Sequence, residues 1–196
     1  SGPRAAKRRP HFGLFSRRCG NYDGEHRRSR LSGGGVELFV NEVFRASRTL
    51  PASAERVWEL LTVPEQFSVW FGTDQVVVPL DQLEMDVRPG GLMRATMQLP
   101  GGGEIFWRGA YAEVREPEFL SMGLTDQPDD ELGVPITFSL EPVGGGTLLT
   151  IVQDRGDFSD EQVERTIAGY GSFLDTMESM LRKGYSARIR RPAKVG

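Results

Sequence analysis

Residues 160–183 read DEQVERTIAGYGSFLDTMESMLRK. Val163, Thr166 and Ile167, Tyr170, Phe173 and Leu174, Met177, and Met180 and Leu181 return every three to four positions, which puts them on one stripe of a helix with ~3.6 residues per turn. Glu161, Glu164, Arg165, Asp175 and Glu178 fall opposite. Ser159 and Gln162 have capping-box spacing, and Gly184 supplies a stop. The pattern predicts a helix from about Asp160 to Lys183 that must bury its apolar stripe against something upstream.

Upstream lies mostly strand. Glu37 to Leu50 is predicted as a first strand; its alternation is imperfect, which fits a bulge or a late start near Asn41. Pro51-Ala52-Ser53 stops it, and Ser53 caps a helix whose apolar face is Val57, Trp58, Leu60 and Leu61. Pro64 opens a second short helix, Pro64 to Phe71, with Phe67, Trp70 and Phe71 inward and Gly72 as its end. The remaining predicted strands are Asp74–Leu80, Met85–Val87, Leu92–Leu99, Glu104–Arg115, Phe119–Thr125, Pro135–Glu141 and Thr147–Gln153. Turns at Pro89-Gly90-Gly91, Gly101 to Gly103, Glu116-Pro117-Glu118 and Gly144 to Gly146 separate several of them. Met93, Ala95 and Met97 alternate with Arg94, Thr96 and Gln98, the mark of a half-buried strand.

This order implies an α+β domain: a curved antiparallel sheet of about seven strands around a long C-terminal helix, with two short helices after the first strand. A bent sheet and a single rod fill space poorly. An internal apolar cavity is therefore expected, lined by Trp58, Phe67, Trp70, Phe71, Met93, Met97, Phe138, Tyr170, Phe173 and Met177. The alternative for each of these is a place in a packed core. By alternation with Leu149 and Ile151, Gln153 should point inward at one end. Trp107 and Tyr111 share one face of their strand, Arg108 and Ala112 the other; alternation does not say which is interior. Trp107 and Tyr111 are counted as candidate lining.

Charge is unevenly divided along the 196 residues. Residues 1–35 hold nine Lys/Arg and two acids; residues 36–183 hold 11 Lys/Arg and 25 acids; residues 184–196 hold four Lys/Arg and no acid. The expected organisation is a disordered basic tail over 1–35, one domain over 36–183 and a basic flexible tail over 184–196. Gly33-Gly34-Gly35 before Val36 also looks like a translated ribosome-binding site and GTG start, so the natural product is expected to begin near Val36. The acidic body is a poor nucleic-acid binder, since phosphate contacts need Lys and Arg. No apolar run reaches the ~20 residues of a membrane span. With one cysteine, Cys19, and no secretory leader, a cytoplasmic location is expected.

The two histidines, His11 and His26, and Cys19 all lie in the N-terminal tail. No Cys nucleophile, His base or catalytic triad is expected in the domain, and no zinc site. No catalytic residue, metal ligand or cofactor motif is assigned; the glycine runs sit in hairpin tips rather than phosphate loops. Asp129-Asp130-Glu131 reads as a solvated acidic loop. Arg94 and Arg108 read as a solvent-facing ladder with acids, or, if interior, as groups that could orient a carbonyl or stabilise an enolate.

Arg48-Thr49-Leu50-Pro51-Ala52-Ser53-Ala54-Glu55-Arg56-Val57-Trp58, Pro64-Glu65 and Trp70-Phe71 together resemble the opening of the activator-of-heat-shock-ATPase-like family. So do Pro89-Gly90-Gly91, the Gly109, Tyr111, Glu113-Val114 strand with Pro117, Gly146-Thr147, and Gly169-Tyr170 followed by Phe173-Leu174. The likeness runs from about Leu38 to Leu181. It implies the helix-grip fold shared by START lipid-transfer domains, the birch-pollen allergen and polyketide aromatase/cyclases. Tyr170 stands where that family usually has Trp, and Val63 where an acid often precedes Pro. No counterpart of the separate N-terminal domain of the eukaryotic chaperone activators is read, so an activator role is not expected to carry over. Three functions follow as expectations. The first is non-catalytic binding of a small, largely apolar, lipid- or polyketide-like ligand. The second is a cyclase/dehydratase-like enzyme without His, Cys or metal. The third is a co-chaperone-like module with a protein partner.

Overall fold

The structure, a computed structural model, describes residues 43–127 and 131–185. The basic N-terminal tail, residues 186–196 of the C-terminal tail, the expected start near Val36, the first residues of the first strand and Asp129-Asp130 lie outside the described residues.

Strand β1 (Val43–Leu50) is followed by helices α1 (Ala54–Thr62) and α2 (Pro64–Gly72). Then come β2 (Leu83–Met85), β3 (Leu92–Gln98), β4 (Glu104–Arg115), β5 (Phe119–Thr125), β6 (Ile136–Val143), β7 (Gly146–Asp154) and helix α3 (Asp160–Arg182). Among the described residues the seven strands form one sheet in the order β1-β7-β6-β5-β4-β3-β2, every neighbouring pair antiparallel. Five antiparallel connections in a row carry the chain from β2 to β7. The first strand then closes the far edge beside the last.

Local chemistry explains the ends of the helices. The Ser53 hydroxyl accepts from the Arg56 N–H, and Pro64 opens α2 where no N–H is needed. The Ser159 hydroxyl accepts from the Gln162 N–H at 3.3 Å, while Gln162 Oε1 accepts from the Ser159 N–H at 2.9 Å. This is the reciprocal cap expected of that pair. At the other end Gly184 takes φ +64°, and the Tyr185 N–H turns back to the Met180 carbonyl.

The predicted strand Asp74–Leu80 is not a strand. Val77 makes a single bridge to Gln98, and Leu80–Gln82 is a short 3-10 turn. Pro79 has no N–H to give, and the free edge of β3 beyond that bridge is taken by β2, with Leu83 opposite Ala95 and Met85 opposite Met93. The second predicted strand accordingly sits two residues earlier than Met85–Val87, because Asp86 to Gly91 already form the turn into β3.

The register of β4 settles the open face. Trp107 and Tyr111 are buried, whereas Ala112 is exposed at a bulge between Tyr111 and Glu113. Arg108 lies on the outer face opposite Arg94, and Arg94 is ion-paired there with Glu84 at 3.0 Å. That outer arrangement is the solvent-side ladder expected of Arg94. Bulges raise the local twist, which helps the sheet wrap the helix. At the β6–β7 turn, a Cβ on Gly146 would stand 2.0 Å from the Leu50 carbonyl oxygen, so only glycine lets the end of β1 approach.

Helix α3 is tied to the edge strand by Arg48 of β1, which pairs with Asp175 and, at 3.3 Å, with Glu178. Between sheet and helix runs a chain of rings. Phe158 and Tyr170 flank Phe44 at 6.2 Å each, Tyr170 meets Phe173 at 6.3 Å, and Phe173 meets Trp70 at 5.2 Å and Phe71 at 5.8 Å. Phe71 in turn meets Trp107 at 5.7 Å. The pairs with Phe44 are stacked and the others edge-on or tilted, and such contacts add to the burial of large apolar surfaces.

Candidate functional site

The ring chain fills most of the space between sheet and helix. A cleft of about 220 Å³ remains at one end, where α2, the β3–β4 hairpin and the first half of α3 converge. Its floor is Phe71, Met97, Trp107 and Phe173; its sides are Val76, Leu99 and Ile105; its helix wall is Arg165, Ala168, Gly169 and Ser172; Gly72, Thr73 and Gln75 form the rim.

Each wall follows from its element. On α3, positions 165, 168, 169 and 172 recur at helical spacing beside the apolar stripe. Ala168, Gly169 and Ser172 are small, so the helix presents a low surface where the stripe itself would present rings. Across the gap the Trp107 indole is fixed because its Nε1–H donates to Met97 Sδ at 3.2 Å. The rim is the loop after α2. Thr73 adopts φ 57°, ψ −144°, a left-handed conformation found in no other non-glycine among the described residues. Its hydroxyl donates to the Gly72 carbonyl at 2.6 Å. Such a backbone costs on the order of 1–3 kcal/mol and tends to occur at functional positions.

Of the predicted site residues, Phe71, Met97, Trp107 and Phe173 line the cleft. Trp58, Phe67, Trp70, Met93, Tyr111, Phe138, Gln153, Tyr170 and Met177 are buried and do not line it. Their contacts explain why. Trp70 is held between Phe67, at 4.6 Å, and Phe173, and its Nε1–H donates to the Leu60 carbonyl at 2.6 Å. Tyr170 turns to Phe44 and to Gln153, whose inward direction agrees with the alternation of β7. Gly72, Thr73, Gln75, Val76, Leu99, Ile105, Arg165, Ala168, Gly169 and Ser172 line it outside the expected set. The readable signal for the helix wall was the run of small residues at 168, 169 and 172, at helical spacing next to large ones.

Among the described residues Arg165 is the one charged residue in the lining. It is half exposed and forms an ion pair with Glu161 one turn earlier. The two buried tyrosines are poor bases. Burial, and secondarily the charge of Asp86, pushes the Tyr111 hydroxyl well above its ordinary range, and burial does the same to Tyr170. The Tyr111 hydroxyl has no hydrogen-bond partner in the structure, nor has Nε of Arg108. Among the described residues no three His, Cys, Asp or Glu side chains converge as metal ligands would, and no helix is long and apolar enough to cross a membrane.

Comparison with known proteins agrees with this architecture. Protein NE0264 from Nitrosomonas europaea superposes with a TM-score of 0.61 at 23% identity, over 72% of this chain and 95% of its own. An AHSA1-like protein from Aeromonas hydrophila gives 0.61 at 18% identity, over 73% and 94%. DynU16, a protein of the dynemicin biosynthetic locus, gives 0.56 at 20% identity, over 72% of this chain and 48% of that one. Identities this low establish the helix-grip fold alone. No curated protein matches the chain. The family model described as Activator of Hsp90 ATPase homolog 1-like protein matches residues 51–182, well over half of the sequence. The chain therefore belongs to the activator of Hsp90 ATPase homolog 1-like family.

Proposed function

We propose that the protein binds a small, largely apolar ligand in the cleft between α2, the β3–β4 hairpin and α3, without chemical turnover. The observation that carries this is the lining: Phe71 and Trp107 on one side face a wall of small residues on α3, with Phe173 at the end of that wall. A slot between rings and a low helix surface suits a flat molecule. Its size sets the scale. An apolar cavity of ~150 Å³ accepts benzene, and drug-sized ligands need ~300 Å³ or more. A cleft of about 220 Å³ lies between and fits one substituted ring or two fused rings.

The lining also bears on turnover. Among the described residues it contains no carboxylate, histidine, cysteine or tyrosine, and its one charged side chain is Arg165. General acid–base catalysis needs a group poised near the working pH. The cyclase/dehydratase-like reading draws on the neighbour from the dynemicin locus, but this lining offers it no proton-transfer group. A co-chaperone role rests on the family description alone. With a single cysteine, Cys19, the sequence can form no internal disulfide, and a cytoplasmic setting fits.

The test fills the cleft. Ala168 is an exposed wall residue, so Ala168→Trp places a ring in the slot without entering the core. Wild-type protein should show a saturable thermal upshift with naphthalene- or indole-sized probes. Ala168→Trp should fold with an unchanged Tm in the absence of probe and lose that upshift. Equal binding by wild type and variant would remove the cleft as the site.

A further inference from the structure

We propose that the ligand of this cleft is an aromatic carboxylate, its acid group held by Arg165 and its ring system between Trp107, Phe173 and the α3 wall. This deepens the binding reading above and rests on it.

The distribution of charge is the first ground. Residues 36–183 carry 25 acids against 11 Lys/Arg, so a lining taken at random from this body would be acidic. Among the described residues the cleft lining contains no acid and a single cation. The second ground is the state of the polar groups. The Thr73 hydroxyl donates to the Gly72 carbonyl, and the Ser172 hydroxyl donates to the Ala168 carbonyl at 3.2 Å. Both hydroxyl protons are thus engaged within the protein. The donors left to meet a ligand are the Arg165 guanidinium and the Gln75 carboxamide.

The third ground is placement. Arg165 lies one turn before Ala168 and Gly169 and two turns before Ser172. Its charge therefore sits at one end of the small-residue wall, while Phe173 closes the other. A ligand that lays its rings along the wall brings a terminal acid to the guanidinium. The fork of arginine matches a carboxylate with two parallel hydrogen bonds, beside apolar surface that excludes water. The existing pair with Glu161 is solvent-exposed and separated by a single helical turn, a weak arrangement that an incoming carboxylate can share or displace.

The experiment compares 2-naphthoate with its neutral isostere 2-naphthamide, titrated calorimetrically into the full chain and into Arg165→Gln and Ala168→Trp. The expected result is naphthoate bound about ten-fold tighter than the amide by wild type. Arg165→Gln should bring the two affinities together by weakening the acid and sparing the amide. Raising the salt concentration should narrow the wild-type preference. Equal affinities in wild type, or a preference that survives Arg165→Gln, would overturn the carboxylate assignment while leaving the cleft as a binding site. Failure of both probes to bind wild type, or naphthoate binding that survives Ala168→Trp, would overturn the cleft reading and this inference together.

Discussion

The Tyr170 hydroxyl on α3 donates to Gln153 Oε1 on β7 at 2.5 Å, both side chains buried under the same aromatic chain. This buried contact joins the central helix to the sheet. Its partners are 17 residues apart in sequence, on either side of the turn into α3. A hydrogen bond that spans two elements fixes how the helix is rotated about its axis. That rotation decides which residues face the cleft.

Breaking this contact from one side should be costly. Tyr170→Phe leaves the Gln153 carboxamide buried without that donor, and a deserted buried polar group costs about 1–3 kcal/mol. Replacing both partners, as Tyr170→Phe with Gln153→Leu, removes the unsatisfied group and should recover most of the loss. Urea unfolding of the two variants checks this. A double variant as unstable as the single one would show that the bond is not the source.

Alkaline pH should reveal the two buried phenols. Tyr111 and Tyr170 are both held protonated by burial, above the ordinary tyrosine value of 10.0. For a group whose pKa is raised in the folded state, the stabilisation is complete below the unfolded value and declines as pH rises past it. Stability should therefore fall as pH rises above about 10. Phenolate absorbance from Tyr111 and Tyr170 should appear only together with loss of the fold. Ionisation of all tyrosines in one step before unfolding would contradict the packing.

The rim carries a strained residue whose release is measurable. Thr73 sits at φ 57°, where glycine is at ease and threonine is not. Thr73→Gly gives up the bond from the Thr73 hydroxyl to the Gly72 carbonyl but relieves the backbone, and a net gain of up to about 1 kcal/mol is expected. The same change loosens the rim and should weaken binding of an aromatic probe. A destabilised Thr73→Gly protein would mean that the conformation is not strained.

What could be read from the sequence and what could not divide by range of interaction. The limits of α3 follow from Ser159, Gln162 and Gly184, which act within a turn of the helix ends, and the structure places them as the spacing predicts. The bounds of β4 and β5 are likewise set by local turns; the curved sheet around a long helix followed from the order of elements, and the helix-grip fold from the family resemblance. The Val76-Val77-Val78 run misled because strand propensity does not report whether a partner edge is vacant; β2 had taken it. The extent of the cavity was not readable because it depends on how far rings reach. Phe44, Tyr170, Phe173 and Trp70 together occupy space that a bent sheet and a rod alone would leave empty. The cleft survives where Ala168, Gly169 and Ser172 are too small to fill it.

The three tryptophans offer the most direct measurement. Their indole N–H signals report separate places: Trp107 lines the cleft, Trp70 lies behind it against Phe173, and Trp58 is buried away from the lining. In a titration of the isotope-labelled protein with 2-naphthoate, followed by proton–nitrogen correlation spectra, the Trp107 signal should move most. The Trp70 signal should move slightly and that of Trp58 should stay in place. A saturable titration in which Trp58 moves while Trp107 does not, or in which no indole responds, would contradict the account.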